Sequence, residues 1–201
     1  MRAERVSDDG LFVSGASFST GENITSAGFA VLADGSIVQV GRASASSSSF
    51  TPDYDAFFVV RYAGSATVAS RQTDLGTPGS FDGESAGAVA VQADNRIVMA
   101  GTSDGDVAVL RYNADLSLDA TFDGDGILLT DFGSTADHAS NVVLQSDGKI
   151  LIAAGLGGAA PDGFIARFNS DGTLDTTFDG DGSITIDFHP SRSALALQVD
   201  G

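Results

Sequence analysis

The chain of 201 residues has no cysteine, one lysine (Lys149) and two histidines. Without cysteine there are no disulfides and no thiolate metal sites. Ten basic residues face 27 acidic ones, giving a formal net charge of −17. That charge repels nucleic acid phosphates and anionic lipid, so neither is expected as a partner. No apolar run reaches the roughly 18 residues of a membrane span. The opening Met1-Arg-Ala-Glu-Arg-Val-Ser-Asp-Asp9 lacks the apolar stretch of a signal peptide. No segment has helical periodicity, and no Gly-x-Ser-x-Gly elbow marks a nucleophile. Gly155-Leu-Gly157-Gly158 leads to Pro161 rather than into a helix, so it lacks the context of a phosphate cradle.

What the chain does have is repetition. Ala-Val-Leu-Ala-Asp34-Gly35-Ser-Ile-Val-Gln-Val-Gly41 returns as Val-Ala-Val-Gln-Ala-Asp94-Asn95-Arg-Ile-Val-Met-Ala-Gly101 and as Val-Val-Leu-Gln-Ser-Asp147-Gly148-Lys-Ile-Leu-Ile-Ala-Ala-Gly155. A fourth copy stops at Asp200-Gly201, and the four aspartates stand 60, 53 and 53 residues apart. A period of this size denotes an array of supersecondary units. In the second copy the pattern predicts strands over 86–92, 96–101, 106–112 and 126–132, with a tight turn at Asp94-Asn95. Both faces of the 106–112 strand are largely apolar, so it belongs between stacked sheets. The third copy predicts strands over 141–145, 149–154, 164–168 and 183–188. Four short antiparallel strands per unit predict an all-β, β-propeller-like fold of three full blades plus partial edge strands, an incomplete ring.

The elements Leu144-Gln-Ser-Asp147-Gly-Lys-Ile-Leu151, Phe164-Ile-Ala-Arg-Phe-Asn-Ser-Asp-Gly-Thr-Leu-Asp175 and Thr177-Phe-Asp179, ending in Asp187-Phe188, resemble the bacterial delta-60 repeat. The resemblance runs from about residue 24 to the end and is closest in copies two and three. It implies a β-propeller-type repeat of unassigned activity, found mostly in long secreted or surface proteins, and it brings no catalytic residues.

The expected organisation is the end of a preceding repeat (1–23), repeat 1 (24–80, with a Ser-rich loop at 44–51), repeat 2 (81–136), repeat 3 (137–190) and the start of a fourth (191–201). Within the first, Asp8 to Phe18 resembles a closing strand. Repeat 1 departs from the others: Arg61 to Asp74 spans 13 residues, whereas Arg111 to Asp131 and Arg167 to Asp187 both span 20. It lacks the Thr-Phe-Asp-Gly-Asp-Gly segment, which leaves its last strand less well defined. This phase makes the chain readable as a fragment of a longer repeat protein, with further repeats of the same parent chain as neighbours and the leader missing; the alternative is an open arc whose edges are protected by loops or by another copy.

All acidic residues but Glu4, Glu22 and Glu84 are aspartate. Asp closes turns with its short side chain, and it also binds calcium in loops. The candidate Ca²⁺ ligands are Asp119, Asp123 and Asp125, with their counterparts Asp175, Asp179 and Asp181. The alternative is that these loops are hairpin turns. Arg61, Arg111 and Arg167 recur before an aromatic residue and are expected to pair with an acid of the adjacent strand, such as Asp131 or Asp187. The other reading is a cationic ring for an anionic ligand. His138 and His189 read as loop residues. No catalytic residue is identified. The expected function is a non-enzymatic binding scaffold of a secreted or cell-surface protein, presenting loops such as 44–50 and 155–161, together with Tyr54, to a protein or glycan. The alternative is a hydrolase or lyase with its site where blade loops converge.

Overall fold

A computed structural model describes residues 5–6, 12–13, 22–45, 54–75, 83–133, 136–157, 162–187 and 196. Every regular element among them is a β-strand. A short pair, β1 (Arg5–Val6) and β2 (Phe12–Val13), precedes three four-stranded sheets. The first holds β3 (Glu22–Val31), β4 (Ile37–Ala45), β5 (Tyr54–Ala63) and β6 (Ala66–Thr73). The second holds β7 (Ser85–Val91), β8 (Ile97–Ser103), β9 (Asp106–Tyr112) and β10 (Ile127–Thr130). The third holds β11 (Asp137–Leu144), β12 (Ile150–Leu156), β13 (Asp162–Phe168) and β14 (Ser183–Asp187). Strands neighbour one another in chain order within each sheet, and all pairs are antiparallel.

The Asp turns behave as their chemistry requires. Asn95 takes φ +66°, and Gly35 and Gly148 take +81° and +87°, the left-handed region that Gly and Asn tolerate. Each first strand carries a bulge at the same place, between Ser26 and Gly28, Ala86 and Ala88, and Ala139 and Asn141. The extra residue of the second is Gly87. A Cβ there would stand 2.0 Å from the Ala139 carbonyl oxygen, so this bulge lets β7 and β11 approach backbone to backbone.

The core lies between the sheets. Val107 and Val109 of β9 join the cluster shared by the second and third sheets, while Ala108, Leu110 and Tyr112 join the one shared by the first and second. All are fully buried, as a strand apolar on both faces must be. At about 1.5–3 kcal/mol for each large apolar side chain buried, these inter-sheet clusters are what a single unit cannot supply alone.

Several details differ from the sequence reading. The last strand of the first unit is well formed: β6 has eight residues and joins β5 through a turn at Gly64. The missing segment therefore shortens a connection and leaves the strand intact. By register the counterpart of Gly41 and Gly101 is Ala154, opposite Ala139, rather than Gly155. Ser44 belongs to β4 and Gly155 to β12, not to loops. His138 lies in β11, exposed, with Nδ1 3.2 Å from Thr102 Oγ1. Residues 46–53, 158–161, His189 and the turn at Asp200 lie outside the described residues, as does most of 8–18.

Candidate functional site

The recurring arginines sit near one end of each third strand, and the polar residues around them form one repeated constellation. Arg111 Nε donates to Asp119 Oδ2 at 2.7 Å and its Nη2 to Thr121 Oγ1 at 2.9 Å. Arg167 Nε donates to Asp175 Oδ2 at 2.6 Å and its Nη2 to Thr177 Oγ1 at 3.2 Å. The guanidinium carbons lie 4.8 Å and 4.6 Å from the ring centres of Phe122 and Phe178, a cation–π distance. A second cation reaches each acid from the turn between the unit's first two strands: Arg96 Nε at 2.9 Å from Asp119, and Lys149 Nζ at 3.1 Å from Asp175.

The expected partners Asp131 and Asp187 are therefore incorrect, and strand register is the reason. Ile127 pairs with Leu110 and Thr130 with Val107, so Asp131 lies at the far end of β9 from Arg111. It instead closes its own turn by accepting from Gly133 N at 2.6 Å. Asp187 likewise pairs with Asp162 at the opposite end of β13 from Arg167.

The first unit shows how the constellation adapts when its acid is missing. Arg61 turns back to its own Asp turn, with Nη2 2.5 Å from Asp34 Oδ2 and Nε 2.9 Å from Ser36 Oγ. Ser36 occupies the position of Arg96 and Lys149. With no counterpart of Asp119, no second cation is required there.

These arginines also join units. Arg61 Nη1 donates to the Ala114 carbonyl at 2.7 Å, and Arg111 Nη1 donates to the Ser170 carbonyl. Ala114 and Ser170 each lie three residues beyond their own unit's arginine, so one contact is made twice by equivalent atoms. The same turn supplies a second link, in which Asp123 N donates to Asp171 O at 2.7 Å. Deeper in each joint a fully buried acid, Glu84 or Asp137, accepts from the backbone amide of Leu75 (2.5 Å) or Phe132 (2.9 Å) of the preceding unit.

The six candidate calcium ligands form two loops of the same shape. Asp123 and Asp179 take φ +49° and +51°, and Gly124 and Gly180 both take +91°. Asp125 Oδ1 accepts from Ile127 N and Asp181 Oδ1 from Ser183 N, each at 2.9 Å, the geometry of an Asx turn. Asp119 and Asp175 are nearly buried and each faces two cations and a threonine that donates twice to Oδ1. Burial alone would push Asp119 up, but the bonds from Thr121 and the charges of Arg111 and Arg96 hold it below the usual carboxylate range. The Thr177 hydroxyl, with Lys149 and Arg167, holds Asp175 lower still. Asp123 is shifted upward, first by burial and then by Asp125 and Asp171. Among the described residues no cluster of three or more His, Asp or Glu side chains is gathered in a way that suits a metal ion. No helix among the described residues is long and apolar enough to cross a membrane.

Two surfaces stand out when equivalent positions are compared. Ile97 and Ile150 are fully buried, whereas Ile37 at the same place in the first unit is 41% exposed, beside Phe29 (51%) and Val31 (65%). At the other end, the Arg111 side chain is 3% exposed and that of Arg167 19%. Phe122 is buried, while Phe178 is half-buried. Sequence reasoning found the arginines and the Asp-Gly loops but missed Ser36, Arg96 and Lys149. Their signal was present, since each stands two residues after the turn aspartate.

A family model described as a domain of unknown function (DUF5122) beta-propeller matches residues 92–122 and 145–178. Each matched segment runs from the Asp turn through the arginine strand to the Phe122 or Phe178 loop. The match supports a β-propeller-type repeat, in agreement with the three antiparallel sheets. No curated protein matches the chain.

Proposed function

We propose that the chain is a non-enzymatic repeat scaffold of the delta-60 type, part of a secreted or cell-surface bacterial protein, whose inter-strand loops contact a protein or a glycan. The observation that supports this reading is the use made of the recurring charged residues. Arg61 and Arg111 reach the next unit's backbone, and the carboxylates of Asp119 and Asp175 are occupied by cations and threonines. Groups of this kind hold units together. Variety among the copies then falls to their connections, such as the serine-rich 46–52 segment present only in the first, and connections are where scaffolds carry recognition.

Glycan arrays and pull-downs with the full chain test the proposal, alongside a variant in which 46–52 is replaced by a Gly-Ser stretch of equal length. Binding that is lost in the variant while its thermal melt is retained supports a loop-borne site. Product release from polysaccharide or ester substrates by the purified chain would overturn it in favour of the hydrolase or lyase reading.

A further inference from the structure

We propose that the Arg167–Phe178 end of the third sheet is a receptor for the Asn-x-Asp-Gly-Thr turn of a further four-stranded unit, and that it rejects a turn carrying a bulky residue at the glycine position. This does not depend on the ligand-binding reading above.

The joint between the second and third sheets supplies the template. There the turn Asn169-Ser170-Asp171-Gly172-Thr173 covers the second unit's arginine end. The Ser170 carbonyl accepts from Arg111 Nη1, the Asp171 carbonyl accepts from Asp123 N, and Gly172 lies against Phe122. The third unit presents the same three features in the same conformation. Arg167 is held by Asp175 and Thr177 above Phe178, and the Asp179-Gly180 backbone repeats the angles of Asp123-Gly124. Among the described residues, however, Arg167 Nη1 and Asp179 N find no acceptor, and Phe178 is half-buried.

Selectivity follows from comparing the two joints. At Gly172, with φ +96°, a Cβ would stand 3.1 Å from Asp123 N and 3.2 Å from Phe122 Cε2. The glycine makes room for the Phe-Asp-Gly segment. At the preceding joint the first unit lacks that segment, and the equivalent turn residue is Leu116, held at φ +67° and 2% exposed in the cluster between those sheets. Leucine supplies bulk where the segment is absent, and glycine yields space where it is present. The third unit has the segment, so it takes the glycine form.

The first unit cannot serve as the occupant. Its third and fourth strands meet through the short Gly64-Ser65 turn, with Ala63 paired to Ala66, so it has no Asn-x-Asp turn to offer. A second copy of this chain docking through its first sheet would leave Arg167 Nη1 and Asp179 N unmet.

The test extends the full chain with a second copy of residues 137–190 placed after residue 190. The chain has no tryptophan and three tyrosines, so Phe178→Trp installs a single tryptophan at that end, excited selectively at the red edge of its absorption. The extended chain should show blue-shifted emission relative to the unextended Phe178→Trp chain and a higher melting temperature. Replacing the appended copy's counterpart of Gly172 with Leu should reverse both, although Leu116 shows that leucine is compatible with the turn itself. An appended copy that fails to fold, one that folds without moving the emission, or a leucine form that docks equally well would each overturn the proposal. Sedimentation of the unextended chain should show monomers, and head-to-tail oligomers that bury the reporter would overturn the selectivity.

Discussion

Replacing Arg111 with Met keeps most of the apolar stem and removes the charge and five donors. The structure sets the scale. Asp119 would keep Arg96 at 2.9 Å and both bonds from Thr121, so the loss falls short of stripping a buried acid bare, which costs about 3–5 kcal/mol. To that reduced loss are added the hydrogen bond to the carbonyl of the exposed Ser170, about 1 kcal/mol, and a cation–π contact with Phe122 of about 0.5–2 kcal/mol. A net cost of about 3 kcal/mol follows, a large share of a typical 5–15 kcal/mol stability. Arg167→Met removes an equivalent ion pair that is more exposed and, among the described residues, reaches no neighbouring unit. Solvent screening reduces such a pair to about 1 kcal/mol, and its more exposed cation–π contact with Phe178 adds about 0.5–1 kcal/mol. Urea unfolding of the two variants, read at unchanged slope, should therefore differ by about 1 kcal/mol. Arg111→Lys should fall between them and the parent, because lysine keeps the charge but not the fork of donors. Equal costs for Arg111→Met and Arg167→Met would refute the idea that Arg111 ties two units together.

Asp119 and Asp175 are held below their ordinary range, so the stability they contribute is fully present above the unfolded carboxylate value near 4 and is lost as pH falls through their lower folded values; acid melts should show stability dropping below about pH 4. Asp123 is shifted the other way, so its ionisation opposes folding as pH rises through its folded value. Asp123→Asn, which tolerates the positive φ, should raise the melting temperature at pH 7 and lose that advantage in acid. Gly172→Leu should overpack the joint against Phe122 and cost about 1–3 kcal/mol or more, and Leu116→Gly should cost about 2 kcal/mol, the cavity loss partly offset by relief of strain. Melts in millimolar calcium and in chelator should superimpose, because Asp119 and Asp175 are already occupied by cations. A calcium-dependent rise that disappears in the double variant Asp179→Ala, Asp181→Ala would show that the loops bind the ion.

The fold was legible because each unit repeats a strand pattern whose two apolar faces have only one economical arrangement. Val107 and Val109 against Ala108, Leu110 and Tyr112 required a sheet on either side, and the structure provides both. Strand ends were less legible, since Ser44 and Gly155 continue strands through residues that favour loops. The arginine partners were misassigned because sequence proximity to a strand says nothing about register, and Asp131 lies beyond the wrong end of β9. The contacts from Arg61 to Ala114 and from Arg111 to Ser170 were not legible at all. A backbone carbonyl carries no side-chain signature, and the residues there are Ala in one copy and Ser in the next.

We hold that the recurring polar residues join one unit to the next, and amide exchange within the unaltered chain reads such a joint without any substitution. Asp123 and Asp179 occupy loops of the same shape, but among the described residues only the Asp123 N–H donates across a joint, to Asp171 O at 2.7 Å. The Asp123 amide should exchange slowly, through opening of the second and third units from one another, and the Asp179 amide should exchange fast. Equal rates at the two positions would contradict the claim.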